Sequence, residues 1–272
     1  MNILMVAPVF YRTEKTQNFL SALMYCNYTG LDFKLVIAVN AAKPVLTEFI
    51  KNWEIDFKKV HGDNSVHVIW HDENIGKGKA LNGAVKQFED EMKPEYIVSM
   101  DSDIIQVDRN WLQKCLQTFT DYSDHYKDNP KIRPLALLSP NMLSDNVSTN
   151  NHYIGRMPAY DIKVKQWSCW TSDKNTGIAG PCFIIEYSAW KKIGGYYDAL
   201  YIGGNDAHML YDLHLNGYQA IINKDIYFIH PHDTAAKEQE YKKWKHHMIK
   251  HAKGRPRDLP KHLDDYKGQK NF

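Results

Sequence analysis

The sequence predicts an α/β fold: a mostly parallel central sheet with helices on both faces, plus a basic C-terminal helical tail. Three observations lead there. Over the first 140 residues, short apolar runs rich in Val and Ile alternate with helix-length amphipathic segments. A strand needs a continuous apolar run when helices cover both faces of its sheet, and an intervening helix makes neighbouring strands parallel. Each run also stops at a polar or turn-forming residue, and in such sheets ligands gather beyond the carboxyl ends of the strands.

The elements follow in order. Residues 3–7 form a first buried strand, closed by Pro8. Residues 16–27 put Phe19, Leu20, Leu23 and Met24 on one helical face. A second strand covers 35–39 and ends at Asn40. A helix covers 45–53, and a third strand 66–70. Residues 78–92 are helical, with Leu81, Val85 and Phe88 on one side. A fourth strand at 96–100 ends abruptly at Asp101-Ser102-Asp103. A helix covers 111–119 and a strand 135–138. Residues 141–177, rich in Asn, Ser, Thr and Trp, read as a long loop with one short strand. A strand at 180–187 and a helix at 188–193 precede the breaks at Gly194-Gly195 and Gly203-Gly204. A helix at 206–215 and two strands, 220–223 and 226–230, complete the pattern.

Composition narrows the class. With 272 residues, 43% of them hydrophobic and 24% charged, the chain has ordinary globular usage. That excludes a disordered or collagen-like chain and suits one domain over 1–236, in halves 1–140 and 141–236. The four cysteines form no CxxC pair and read as thiols of a reducing compartment. No apolar run approaches the roughly 20 residues that span a bilayer, so no transmembrane segment is expected. The opening MNILMVAPVFYRTEK has neither a basic region nor a cleavage site, so the chain reads as cytoplasmic. The net charge is only +2, yet residues 237–272 carry eleven Lys/Arg against five Asp/Glu. That segment is therefore +6 and the body before it −4.

Four constellations carry chemistry. Asp101-Ser102-Asp103 places two carboxylates where a strand yields to a loop, so both can reach one divalent cation that also binds phosphate oxygens. The bland alternative is a turn capped by Asp101. The segment from His71 through Asn74, Gly76, Lys77 and Lys79 to Asn82 runs from a strand through a Gly-containing loop into a helix. Such a helix start offers free N–H groups to an anion, and the two Lys add charge; otherwise it is an ordinary loop with solvated lysines. Asp206, after Gly203-Gly204-Asn205, is either a helix cap or a general base at a cleft edge. His230, in Ile229-His230-Pro231-His232-Asp233, is either a satisfied core histidine or a metal ligand.

In this order the features resemble the GT-A class of nucleotide-sugar glycosyltransferases, particularly family 2, over about residues 1–235. VAPVFYRTEKTQNFLSAL looks like that family's first strand and helix. ENIGKGKALNGAV looks like its Asn-x-Gly…Ala-x-Asn-x-Gly segment, and VSMDSDI like its DxD strand. GIAGPCFIIEYSAWKKIGGYYDALYIGGNDAHMLYDLHLNGYQAII looks like its acceptor-side block. Two departures stand out. The family's Glu-Asp pair is Asn205-Asp206, and the Asp that usually ends the second strand is Asn40.

The resemblance implies a GT-A fold with 1–140 as the nucleotide-binding half and 141–236 as the acceptor half. It implies that Pro8, Phe10, Arg12 and Asn40 line a nucleoside pocket. Asn74, Gly76 and Lys79 would lie beside ribose and diphosphate, and Asp101 and Ser102 at the donor. Asp101, Asp103 and His230 would serve Mn²⁺ or Mg²⁺, with His232 as alternate. Asp206 would be the base of an inverting transfer from a UDP-sugar.

The tail bears on the acceptor. Tyr241, Trp244 and Met248 form an apolar stripe on a basic helix, and Lys253-Gly254-Arg255-Pro256-Arg257 resembles the core of minor-groove AT-hooks. Arg favours narrow minor grooves. Double-stranded DNA is therefore an expected partner of 237–272, with a hydroxylated base as acceptor. One rival is a lipid-linked or polysaccharide acceptor at an anionic membrane surface. Another is a non-catalytic DNA-binding protein using the same tail.

Overall fold

The chain was studied as a computed structural model, which describes residues 1–10, 12–144, 160–173, 175, 180–197 and 205–231. Its elements in order are β1 (Asn2–Val9), α1 (Thr13–Met24), β2 (Asp32–Asn40), α2 (Pro44–His61), β3 (Val66–His71), α3 (Lys77–Met92), β4 (Tyr96–Met100), β5 (Ile105–Gln106), α4 (Trp111–Tyr126), β6 (Leu135–Ser144), β7 (Tyr160–Val164), β8 (Trp167–Thr171), β9 (Cys182–Glu186), α5 (Tyr187–Ile193), α6 (Asn205–Leu215) and β10 (Gln219–His230).

One sheet runs in the order β3-β2-β1-β4-β9-β6-β10-β8-β7, with β5 on β10. The strands β3, β2, β1 and β4 pair in parallel, as do β6 and β10. Only β9, antiparallel to both β4 and β6, interrupts this common direction in the centre of the sheet. Residue 140 falls inside β6, so both halves of the chain share the sheet.

The apolar runs are continuous because the sheet is covered twice. From β1, Ile3, Met5, Ala7 and Val9 join one core cluster with Phe19 and Leu20 of α1, Ile50 and Phe57 of α2, and Trp111 of α4. The alternate residues Leu4 and Val6 join a second cluster with Leu81 and Val85 of α3, Trp190 of α5 and Leu210 of α6. Each large side chain so buried contributes about 1.5–3 kcal/mol relative to exposure.

Three expectations need correction. The segment 141–177 is not a loop with one strand. β6 continues to Ser144, and β7 and β8 form an antiparallel hairpin that turns at Lys165, whose φ is +48°. The two strands expected at 220–223 and 226–230 are the single β10. Its register against β6 shifts between Asn223 and Tyr227, where the Asn223 side chain accepts the Asp225 N–H at 2.9 Å. Polar Lys224 and Asp225 look like a break in the sequence. Here they anchor the hairpin instead, Lys224 to Asp161 at 2.7 Å and Asp225 to the Ser168 N–H at 2.7 Å. Two helices also outrun their expected ends, α2 reaching His61 before Gly62 turns the chain at φ +100°. No helix among the described residues is long and apolar enough to cross a membrane.

Candidate active site

The parallel strands bring their polar ends to one edge of the sheet. β1 runs into Phe10 and Arg12, whose carbonyl accepts the Thr16 N–H at 2.9 Å as α1 begins. β2 ends at Asn40, β3 at His71 and β4 at Met100, just before Asp101. Between β3 and α3 the Asn74 side chain accepts the Gly76 N–H at 3.0 Å. Gly76 has φ +83°, a conformation costly for a residue bearing a Cβ, and Lys77 opens α3 directly after it.

Lys77 is the hub of the edge. Its Nζ lies 2.7 Å from Asp101 Oδ1 and 3.9 Å from Asp206 Oδ1, and it donates to the Gly180 carbonyl at 3.4 Å. Below it lie two stacked rings, Phe183 of β9 and Tyr196, with centroids 5.9 Å apart; the ammonium is 6.0 Å and 5.6 Å from their centres. Burial alone would lower the Lys77 pKa, but Asp101, Tyr196 and Asp206 hold it well above the ordinary lysine value. Burial pushes the Asp101 carboxyl up, against the pull of Lys77 and with help from Asp103 and Asp206.

Asp103 belongs to a second group. Its carboxylate pairs with the Arg12 guanidinium, both side chains being about nine-tenths buried, and accepts a hydrogen bond from His230 Nε2 at 3.3 Å. Burial pushes the Asp103 pKa up, yet the His230 hydrogen bond and the charges of His230, Arg12 and Lys15 bring it below the usual carboxylate value. Lys15 also donates to the Pro231 carbonyl at 3.0 Å, tying α1 to the end of β10. Asp101 and Asp103 thus diverge: the first faces Lys77, the second faces Arg12 and His230. Among the described residues no three His, Cys, Asp or Glu side chains cluster as a ready metal cage. Asp103 and His230 form the two-donor pair.

A model for proteins described as "Glycosyl transferase family 2" matches residues 9–169, more than half of the chain. The chain belongs to glycosyl transferase family 2.

Solved structures agree at the level of fold. The mannosyltransferase PcManGT from Pyrobaculum calidifontis, in complex with GDP-Man and Mn²⁺, matches with a TM-score of 0.58 at 14% identity, over 89% of this chain and 59% of that one. S. aureus TarS 1-349 in complex with UDP-GlcNAc matches at 0.59 and 14%, over 86% and 60%. S. aureus TarS itself matches at 0.60 and 15%, over 97% and 42%. The chain therefore shares the GT-A fold with these proteins, and it spans about three fifths or less of their lengths. No curated protein matches it.

The residues expected from the family pattern fall into three sets. Arg12, Asp103 and His230 meet directly, and Asp101 and Asp206 meet through Lys77. Pro8, Phe10, Asn74 and Gly76 lie on the segments at the same edge, Ser102 is buried between the two aspartates, and Asn40 is buried at the end of β2. The Asn40 Oδ1 is shielded from solvent and has no hydrogen-bond partner among the described residues. Lys79, by contrast, is exposed on the first turn of α3, and Lys77 is the lysine turned inward. His232, Gly203, Gly204 and the basic segment 237–272 lie outside the described residues.

One member of the edge, Tyr196, was not singled out from the sequence, and Asn82 was named there only as the end of the His71–Asn82 segment. Tyr196 donates its hydroxyl hydrogen to Asp206. Asn82 makes two hydrogen bonds to the Tyr196 backbone, Nδ2 to the carbonyl at 2.7 Å and Oδ1 from the N–H at 2.9 Å. Their signal was present, since Tyr196 follows Gly194-Gly195 and Asn82 is the Asn of the Ala-x-Asn-x-Gly segment.

Proposed function

We propose that the chain transfers a sugar from a UDP-sugar to an acceptor hydroxyl, inverting the anomeric carbon, with Asp206 as the base. One observation carries the reading. Lys77 joins Asp101, just past the end of β4, to Asp206, at the start of α6, which supports a donor-side and an acceptor-side carboxylate working at one place.

The donor set suits a divalent cation. Asp103 offers an oxygen and His230 an imidazole nitrogen, a mixed pair that suits Mn²⁺ better than Mg²⁺, which favours oxygens. Such an ion, when bound, stabilises the negative charge that grows on the departing diphosphate. The protein's own residues do the remainder. Asn40 Oδ1, which has no partner among the described residues, accepts a nucleobase N–H. Arg12 and Lys77 flank the diphosphate with positive charge. At an effective dielectric near 20, a charge pair about 4 Å apart gains roughly 4 kcal/mol, where about 1.4 kcal/mol is tenfold in rate. Asp206 takes the proton of the acceptor hydroxyl as its oxygen attacks in line with the leaving group, which inverts the configuration.

For the acceptor, the +6 charge of residues 237–272 and the Gly254-Arg255-Pro256 sequence favour duplex DNA carrying a hydroxylated base. Such a base is reached by flipping it from the stack.

The test is UDP release from UDP-glucose, UDP-galactose and UDP-GlcNAc, with Mn²⁺, in the presence and absence of duplex DNA containing hydroxymethylcytosine. Asp206→Asn should abolish release while UDP still binds, and Asp103→Ala should abolish the response to Mn²⁺. Absence of release from every donor under every condition would refute the transferase reading. Duplex binding that is insensitive to salt, or unchanged by Arg255→Ala with Arg257→Ala, would refute the DNA acceptor.

A further inference from the structure

We infer that Tyr196 is a positioning residue for Asp206, and that Asn82 holds it there, so that the helix carrying Lys77 also sets the geometry of the base. This rests on the reading of Asp206 as the base. Asp206 sits in the first turn of α6 with a side chain 36% exposed, so packing alone does not fix its rotamer. Among the described residues, both polar contacts of its side chain fall on one oxygen. The Tyr196 hydroxyl donates to Oδ1, and the Lys77 ammonium stands 3.9 Å from the same atom. Oδ2 is then the oxygen that takes the acceptor's proton. In that step the hydroxyl hydrogen passes to Oδ2, the hydroxyl oxygen bonds to the anomeric carbon, and the bond to the diphosphate oxygen breaks with its electrons leaving on the UDP.

Tyr196 can fix Asp206 only if it is itself fixed. Two contacts do this, and one glycine makes room for the first. Its backbone is clamped by the paired Asn82 hydrogen bonds at 2.7 and 2.9 Å. Its ring stacks on Phe183 with an interplanar angle of 12°. Gly195 admits Asn82 because it lacks a side chain: a Cβ at Gly195 would stand 2.9 Å from Asn82 Oδ1. The hydroxyl also keeps its proton. Burial pushes the Tyr196 pKa well above the ordinary value, and Asp206 adds to this against the opposing charge of Lys77. A tyrosine that stays neutral remains a donor to the carboxylate throughout the working range. Asn82 and Lys77 lie on the same helix, α3, so displacement of that helix moves the charge beside Asp101 and the tyrosine beside Asp206 together.

The test is Tyr196→Phe in the full chain, which keeps the ring and removes the donor. UDP release from the best UDP-sugar should fall about tenfold in kcat, the worth of one lost hydrogen bond to a charged group, with KM for the donor and Tm essentially unchanged. Asn82→Ala should lower kcat in the same direction. An unchanged kcat in Tyr196→Phe, or a loss that appears only as a higher KM, overturns the inference. A second measurement works without turnover. Tyrosine labelled with ¹³C at Cζ, with the Tyr196 signal identified by its loss in Tyr196→Phe, should show a shifted Tyr196 resonance in Asp206→Asn. If the wild-type chain releases no UDP from any donor, the transferase reading fails and this signal alone decides the contact. A Tyr196 resonance that ignores Asp206→Asn overturns it.

Discussion

The Lys77 ammonium, at the first residue of α3, lies 2.7 Å from Asp101 Oδ1, just past the end of β4. This contact opposes the burial that pushes the Asp101 pKa up. Lys77→Met removes the opposition, so Asp101 holds its proton to higher pH. A raised carboxyl pKa in the fold means that stability is full below the ordinary carboxylate value and is lost as pH rises through the folded pKa. The variant should therefore lose more stability at pH 8 than at pH 4. Asp101 is 35% exposed, so after solvent screening the loss at pH 8 is about 1–2 kcal/mol, or about 2–4 °C in Tm. Melting curves at the two pH values check it; an equal drop at both contradicts it.

Asn40 gives a prediction in which stability and binding part company. Its buried Oδ1 has no partner among the described residues, so they gain no hydrogen bond from that oxygen. Asn40→Leu should leave Tm unchanged or raise it. The same change should weaken UDP binding about tenfold, the loss of one hydrogen bond to the base. Calorimetric titration with UDP beside a melting curve separates the two effects.

Gly195 is required on two counts, a φ of +88° and the approach of Asn82. Gly195→Ala strains the backbone and drives the new methyl group against the amide that clamps Tyr196. A loss of about 1–3 kcal/mol is expected, with a fall in UDP release larger than Tyr196→Phe alone produces. Gly194→Ala is the comparison. It shares a positive φ of +81° but meets nothing within 4 Å, so it should cost stability with a smaller effect on turnover.

Asp121 pins the β7–β8 hairpin to α4. It accepts from the Trp167 indole at 2.8 Å, Lys165 at 3.0 Å and Gln117 at 3.1 Å. Burial opposes ionisation, but these hydrogen bonds outweigh it and hold the carboxyl below its usual value. A lowered carboxyl pKa contributes stability that is present above the ordinary value and is lost as pH falls through the folded one. Asp121→Asn should therefore cost about 1–3 kcal/mol at pH 7 and progressively less below about pH 4. Denaturation midpoints across that range test the sign.

The strand run Tyr96–Met100 and its exit at Asp101 were legible from sequence, because an apolar segment that ends in charge has little choice about where the charge goes. The end of β2 at the polar Asn40 was legible in the same way, and Asp206 at the head of α6 was legible from the Gly203-Gly204 break before it. The β7–β8 hairpin was not legible. Its Lys, Gln and Ser alternate with Trp and Cys on a sheet margin, where polar residues are tolerated and no continuous apolar run is needed. The unity of β10 was hidden for a related reason, since Lys224-Asp225 breaks the apolar pattern at a bulge that the partner strands accommodate.

At the candidate site, sequence named Asp101, Asp103, Asp206 and His230 from their type and position, and the family resemblance added Arg12. It chose Lys79 beside Gly76, whereas Lys77 is the residue that reaches both carboxylates. Two positions apart on a helix, the lysines point about 200° from one another, and only the seating of α3 on the sheet decides which one faces inward.

Residue order and hydrophobic period determined by themselves the alternation of strands and helices, the parallel sense of the first four strands and the set of polar residues at their ends. Those follow from local backbone chemistry and from the need to bury both faces of a sheet. Only the tertiary structure decided that Asp103 turns to Arg12 and His230 while Asp101 turns to Lys77, and that Asn82 grips Tyr196 across 114 positions of chain. Partnerships between side chains so distant in sequence depend on how whole helices pack, and that packing is set by the sum of the core.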